Sequence, residues 1–253
     1  MVIDLTPVRD GTGPARLLDM VPGRSKQIFK DWLSAREPTW REGVEVVAID
    51  GFTGFKTAAT EEIPEATTVM DPFHVSDWAG TPSIGAADES SSNCTGTAAA
   101  PATRCTVPRR TLHTGASLLT DRQAERLTAL FAVEEHVEVE CTWGIYQRMI
   151  AAYRHPDRGS GKKLMTALID SIRTGVPQPL VELITLGRTL AKRAVDVLAY
   201  FDRPGTSNGP TEAINGRLEH LRGSALGFRN LTHYIARSLL ETGGFRQQLH
   251  PRL

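Results

Sequence analysis

Two acidic residues, Asp50 and Glu212, stand where a carboxylate could do chemistry. Asp50 ends the apolar run GVEVVAID (43–50), which is typical of a strand buried on both faces of a sheet, and open α/β sheets place their active sites at the carboxyl ends of strands. Glu212 follows Asn208 and Pro210, in the first turn of a predicted helix. On that helix one face is apolar and the other polar: Ile214, Leu218 and Leu221 face one way, and Glu212, Asn215, Glu219 and Arg222 another. If that helix faces the strand end, the two carboxylates could hold a divalent metal ion for phosphoryl transfer. Each acid also has a simpler structural interpretation. Asp50 could begin a loop or cap the next helix, and Glu212 could interact favourably with the dipole of its own helix.

The segments around Asp50 predict alternating strands and helices, which is an α/β pattern. Ser25 is a favoured helix N-cap residue, and the apolar residues that follow it recur at helical spacing. The predicted elements are a strand at 2–8, a Gly-rich turn at 10–13, a strand at 14–20, a helix at 25–36 with Ile28, Phe29 and Leu33 as its buried stripe, a strand at 43–50, a helix at 53–62, and a strand at 67–70 that ends before Asp71.

The rest of the chain predicts a loop and then helices. Residues 79–108 are rich in Ala, Ser, Thr, Gly and Pro and contain one large aliphatic residue before Val107, so we expect loop or disorder there. Apolar residues at three- and four-residue spacing indicate helices after that point. The predicted helices are 121–134, 137–155, 161–174, 178–201, 210–223 and 230–242, and the stripe of the 178–201 helix is Leu180, Leu183, Leu186, Leu190, Ala194 and Val197.

The charge of the chain is neutral as a whole but uneven along it. The formal net charge is zero, yet the segment from Arg203 onward has seven Arg, no Lys and three acids. Arginine pairs with phosphate in two places, so this bias suits an anionic partner, although an ordinary solvated surface would also explain it. The cysteines lack metal-ligand spacing, and no signal peptide or membrane-spanning run is evident. We therefore expect a cytoplasmic protein without a structural zinc site or disulfide.

Four segments closely resemble the transposases of the ISL-three family: DGFTGFK (50–56), MDPFHV (70–75), SNGPTEAINGR (207–217) and GSALGFRNLTHYIARSLLETGG (223–244). The most specific feature is an Asn-Gly-x-x-Glu-x-x-Asn helix followed by Gly-Phe-Arg-Asn. The resemblance covers nearly the whole chain apart from 79–108. It implies an RNase H-like α/β fold, with a mixed sheet, a large all-helical insertion and C-terminal helices, and a DDE-type reaction on DNA with two Mg²⁺ ions held by Asp, Asp and Glu.

The resemblance also assigns roles to single residues. Asp50 would be the second catalytic acid and Glu212 the third, both as metal ligands. Asp71 and His74 match a family motif and would support the site, and we favour a buried, hydrogen-bonded role for His74 over a catalytic one. Trp143 could stack on a flipped base, although its apolar flanks favour a core position. The candidate DNA contacts are Trp143, Asn208, Asn215, Arg217, Arg222, Arg229 and Asn230.

The implied organisation has four parts. Residues 1–78 would form the N-terminal part of the RNase H-like core, 79–108 a disordered, low-complexity segment, 109–205 the helical insertion, and 206–253 the C-terminal core helices. The expected partner is double-stranded DNA, both transposon ends and target, with self-association left open and no membrane. The expected location is the bacterial cytoplasm, in association with the nucleoid when on DNA.

The chain departs from the family at its start. The first catalytic Asp of the family lies on a strand before the segment that matches Val2, and Asp4 is no substitute because it lies on the wrong strand. We therefore expect an N-terminally shortened, inactive copy. Because the missing strand is central in the family's sheet, its loss predicts two half-sheets with unpaired inner edges. The alternatives are a DNA-binding remnant, a fragment of a longer active transposase and, disfavoured by the 207–217 match, an unrelated helical interaction module.

A second departure is the segment 79–108, where the family has a charged, Arg-rich helical stretch. If GC-rich codons are assumed for residues 84–91 and 101–108 and are read in a frame shifted by one base, the two translated peptides resemble the family's sequence at this place. The hypothesis is therefore a pair of compensating frameshifts, and a genuine low-complexity insertion is the alternative. The nucleotide sequence of the segment distinguishes the two.

Overall fold

The structure is a computed structural model that describes residues 1–76, 78, 109–176, 180–203 and 205–245. It divides into two compact units. The first unit comprises Met1–Asp71 and Arg203–Leu253, and the second comprises Pro72–Asp202. The expectations for 79–108, both the disorder and the frameshift, lie outside the described residues.

The elements of the first unit are β1 (Val2–Asp4), α1 (Thr6–Arg9), β2 (Arg16–Asp19), α2 (Lys26–Ser34), α3 (Pro38–Glu42), β3 (Val46–Ile49), α4 (Thr53–Glu62) and β4 (Thr67–Met70). The second unit contains α5 (Arg109–Leu112), α6 (Asp121–Phe131), α7 (Val137–Tyr153), α8 (Arg158–Gly175), α9 (Val181–Lys192) and α10 (Ala194–Asp202), with short 3₁₀ turns at Ala116–Leu118 and Glu134–His136. The chain then returns to the first unit with α11 (Gly209–Ser224) and α12 (Leu231–Thr242).

The strands of the first unit form two separate sheets. β1 pairs with β2 antiparallel, and β3 pairs with β4 parallel. Among the described residues each sheet has two strands, so every strand has one unpaired edge. The mixture of short sheets and helices is compatible with an α/β class.

The predicted strand at 2–8 is wrong in its second half, because residues after Asp4 turn into helix α1. The Asp4 Oδ1 atom accepts the Thr6 backbone N–H at 2.9 Å, which is a local hydrogen bond that competes with strand pairing. Pro7 lies in the first helical turn, where its missing N–H costs nothing. The local turn chemistry of Asp4 and Pro7 was therefore decisive after the first three residues of the predicted strand.

The prediction that the 43–50 strand is buried on both faces is also wrong. Ile49 is buried, but Val46, Val47 and Ala48 are half-buried. Among the described residues β3 has a neighbouring strand on one side only, so its side chains lack the shielding that a central strand receives. The helix predicted at 53–62 and the strand predicted at 67–70 are confirmed at both ends.

Helix α2 contributes two of the four buried residues of one apolar core of the first unit. Its start is confirmed, because the Ser25 side chain accepts the Ile28 N–H at 3.2 Å as an N-cap. Trp32 and Leu33 are buried against Ala59 of α4 and against Ile63, the residue that follows α4. The predicted stripe was too narrow, since it included Leu33 but missed Trp32, whose indole N–H donates to an oxygen of the Asp19 carboxylate in β2 at 2.7 Å.

Helix α11 packs on the β1–β2 side of the first unit. Ile214 and Leu218 are buried in a cluster with Ala15, and Leu221 packs against it. This is the apolar face predicted for the helix. The opposite face is exposed and carries Glu212, Asn215, Glu219 and Arg222.

The second unit is helical in its described residues, and α8 packs against α7, α9 and α10. The helix predicted at 178–201 is interrupted at Arg193, which has φ −107° and ψ 9° and separates α9 from α10. Arg193 is buried and lies 3.5 Å from the carboxylate of buried Asp196. Leu190 and Val197, on either side of the break, are both buried. The apolar spacing therefore continues across the break and could not reveal it.

Two helical glycines of the second unit form a matched pair for a packing test. A Cβ at Gly161 would lie 2.6 Å from the Ala152 carbonyl oxygen, whereas a Cβ at Gly144 would meet no atom within 4 Å. We expect Gly161→Ala to destabilise the protein by about 1–3 kcal/mol because α7 and α8 must move apart. We expect Gly144→Ala to stabilise it by up to about 1 kcal/mol because alanine favours helix. Urea unfolding measures both, and shifts of the same sign would contradict the close approach of the two helices.

Candidate functional site

Asp50 and Asp71 lie at the same end of the parallel β3–β4 pair. Ile49 is in register with Met70, so the two acids follow directly at the ends of neighbouring strands. The Asp71 N–H donates to the Ile49 carbonyl oxygen at 3.1 Å and extends the pairing by one residue. Since paired strands lie about 4.8 Å apart, the two acids are neighbours at the carboxyl end of the sheet, where the sequence predicted chemistry for Asp50.

The Asp50 carboxylate is partly accessible, with 21% of the side chain exposed. Its Oδ1 atom accepts the Phe52 backbone N–H at 3.0 Å, just before α4 begins. Its Oδ2 atom lies 3.3 Å from a guanidinium nitrogen of Arg24, a side chain that is 76% exposed. Asp50 therefore has the loop-starting role that we considered. Its ion pair is solvent-exposed and weak, so another cation could replace Arg24.

Asp71 differs from Asp50 because it is buried, with 2% of the residue exposed. Its Oδ1 atom accepts the Asn208 backbone N–H at 2.7 Å, a bond between residues 137 positions apart. Asn208 is the N-cap residue of α11. A carboxylate at a helix N-terminus is favoured both by the charge-assisted hydrogen bond and by the helix dipole. Asp71 therefore fixes the start of α11 at the end of β4.

Glu212 lies in the first turn of α11 and is exposed. Its own N–H donates to the Asn208 carbonyl oxygen at 3.1 Å. Asn208 thus contacts Asp71 through its N–H and Glu212 through its carbonyl group, and it connects the strand ends with the first turn of α11. The family motif predicted that Asp71 supports the site. No local sequence pattern could identify its hydrogen-bond partner, Asn208, which is 137 positions away.

The fit of these acids to a metal ion is incomplete. In the ranges that the structure describes, no group of three His, Cys, Asp or Glu side chains is placed to hold a metal ion. Asp71, the third acid nearby, is buried and bonded to the Asn208 N–H. The described residues therefore do not by themselves provide a complete two-metal site.

The other candidate residues of the first unit lie on or near α11 and α12. Arg217 and Arg229 are exposed, as is Arg222, which lies 3.4 Å from the Glu219 carboxylate. The Asn230 Oδ1 atom accepts the backbone N–H groups of Thr232 and His233, so this side chain caps α12. Asn208 is half-buried and Asn215 is exposed.

Two candidates lie in the second unit. The Trp143 ring is half-buried and packs against Phe131, with 5.4 Å between the ring centroids. It borders the buried cluster that includes Leu130 and Val139, which is the core position that we favoured. His74 lies in a helical stretch at 72–76 and is half-buried, not fully buried as expected. Neither residue is in the unit that holds Asp50 and Glu212.

We expect Asp71→Ala to destabilise the first unit by about 1–3 kcal/mol, because the Asn208 N–H loses its acceptor. Asp71→Asn keeps an acceptor oxygen and should cost less. Urea unfolding gives the stability, and hydrogen exchange of the Asn208 amide, which should accelerate in the alanine variant, reports on the bond itself. Asp50→Ala is the matched control, since its acceptor bonds are more exposed. Equal losses for Asp71→Ala and Asp50→Ala would contradict the special role of Asp71.

Comparisons with known proteins identify a family over most of the chain. The family model described as a transposase, that of the ISL-three group, matches residues 2–238. No curated protein matches the chain, and no solved structure matches it either. In the described ranges, none of the helices has the length and apolar character needed to span a membrane. The match extends from β1 into α12 and includes Asp50, Asp71 and Glu212, and the chain therefore belongs to the ISL-three family of transposases.

Proposed function

We propose that this chain carries two of the three acids of a DDE-type active site, Asp50 and Glu212, in an RNase H-like core. The hydrogen bond from Asn208 to Asp71 is the observation that carries the proposal. It ties the first turn of the Glu212 helix to the strand end beside Asp50. An acid at the carboxyl end of a parallel strand is also where α/β sheets place their chemistry.

The metal chemistry of the family is the transfer of phosphoryl groups. When bound, two divalent ions such as Mg²⁺ activate the attacking oxygen and stabilise the leaving oxygen. In this chain Asp50 and Glu212 would be metal ligands, and Asp71 would hold α11 in place through its bond to Asn208. Arg24 pairs with Asp50, and a bound metal ion would replace Arg24 in that pairing. The described residues offer no third ligand for such a site.

We further propose that this chain alone does not cut DNA. In the described residues no third acidic ligand is placed with Asp50 and Glu212, and a two-metal site that lacks one of its three acids cannot hold both ions properly. Membership of a transposase family implies DNA as the partner. The exposed arginines Arg217, Arg222 and Arg229 could contact phosphates. The second candidate is therefore a DNA-binding protein without catalysis, in the cytoplasm and on the nucleoid.

A plasmid-nicking assay with Mg²⁺ or Mn²⁺, run beside a salt series of duplex binding, tests both functions. We expect salt-sensitive binding, because phosphate contacts release counterions. We expect no nicking by the chain or by its Asp50→Asn and Glu212→Gln variants. Nicking that either substitution removes would refute the proposed inactivity and establish these acids as catalytic. Failure to bind DNA at low salt would contradict the binding function.

A further inference from the structure

The turn between α11 and α12 presents one leucine to solvent in an unfavourable backbone conformation. Leu226 is 98% exposed and has φ 52°, and it is the non-glycine residue with positive φ in the part of the chain that the structure describes. For an L-residue with a Cβ this left-handed conformation is strained. The position follows the C-cap of a helix, where glycine is usual. Neither the exposure nor the conformation of Leu226 stabilises the fold.

The turn is held firmly on both sides of Leu226. The Leu226 N–H donates to the Gly223 carbonyl oxygen at 3.0 Å, and the Gly227 N–H donates to the Arg222 carbonyl oxygen at 2.9 Å. After the turn the Phe228 ring packs against Tyr234, with 5.1 Å between the centroids. These contacts fix the backbone of the turn. The side chain of Leu226, which is almost completely exposed, is called the tip of the turn. Strained residues held in this way are frequent at sites of function.

The charge around the tip indicates the kind of partner. Residues 220–240 contain three Arg, two His and no Asp or Glu. Arg222 and Arg229 are exposed on either side of Leu226 in the sequence, and the bond from Arg222 to Glu219 is an exposed one that a phosphate could replace. The tip therefore suits a partner that offers anionic groups close to an apolar slot. Duplex DNA offers both, because its phosphates flank stacked bases that can be parted by an apolar side chain.

We propose that Leu226 is a wedge that inserts between base pairs of duplex DNA while Arg222 and Arg229 bind the flanking phosphates. The proposal rests on the proposed function only in taking DNA as the ligand. It adds a specific residue that bends or unstacks the duplex, outside the acids of the candidate active site. Insertion between base pairs would bury the Leu226 side chain, which is exposed in the free protein. This burial of apolar surface would favour the complex.

The test uses the whole chain and short duplexes that contain 2-aminopurine at flexible TA steps, which open most readily. Fluorescence of 2-aminopurine rises when the base is unstacked, and anisotropy of an end label reports binding. We expect the parent chain and Leu226→Met to raise the fluorescence, and Leu226→Ala to lose most of that rise. The urea midpoint of Leu226→Ala should be unchanged, because the side chain is 98% exposed. Leu240→Ala is the control, since Leu240 is 55% exposed but lies about 14 Å along α12 from its start.

The outcomes separate this proposal from the proposed function. Salt-sensitive binding without a fluorescence rise, or an equal rise in Leu226→Ala, would overturn the wedge and leave DNA binding intact. Absence of salt-sensitive binding by the parent chain would contradict the DNA-binding function itself, and the wedge with it. If Leu226→Ala instead abolished self-association in sedimentation while the fluorescence rise remained, the tip would be a protein contact and the wedge would be refuted.

Discussion

The hydrogen bond between the Asn208 N–H and the buried Asp71 carboxylate is the contact on which the candidate site depends. A buried carboxylate is costly unless its oxygens accept hydrogen bonds, and a helix N-terminus supplies both donors and a favourable dipole. The same contact joins a strand from the first part of the chain to a helix from its last part. Because Asp71 adjoins Asp50 and Asn208 adjoins the turn of Glu212, this bond ties the strand end beside Asp50 to the first turn of the helix that carries Glu212.

The sheets place a second constraint on the first unit. Among the described residues, β1–β2 and β3–β4 each have two strands, and such small sheets are marginal without helices packed on them. Helices α2 and α4 both contribute to one apolar core, which includes Trp32 and Leu33. Helix α11 covers the β1–β2 side through Ile214 and Leu218. The helix that carries Glu212 therefore also stabilises a sheet. Its inner face is occupied by packing, and its exposed face is available to other partners.

Local rules predicted much of this fold, and they failed where distant contacts decide. Ser25 as a helix cap and the inward face of α11 follow from residue type and spacing, and both are confirmed. The break at Arg193 was missed because the apolar spacing continues through it, with Leu190 and Val197 buried on either side. The partner of Asp71 was missed because 137 positions separate the two residues. The strain at Leu226 depends on backbone angles that composition does not show.

The placement of Asp50 and Glu212 around Asp71 is the central claim, and a distance measurement tests it most directly. Spin labels at Asp50→Cys and Glu212→Cys, with Cys94, Cys105 and Cys141 replaced by serine, would be measured by pulsed electron paramagnetic resonance. We expect one short, narrow distance distribution that persists in Asp71→Asn and broadens in Asp71→Ala, because only the alanine variant lacks an acceptor for the Asn208 N–H. A long or broad distribution in the protein with Asp71 intact would contradict the account.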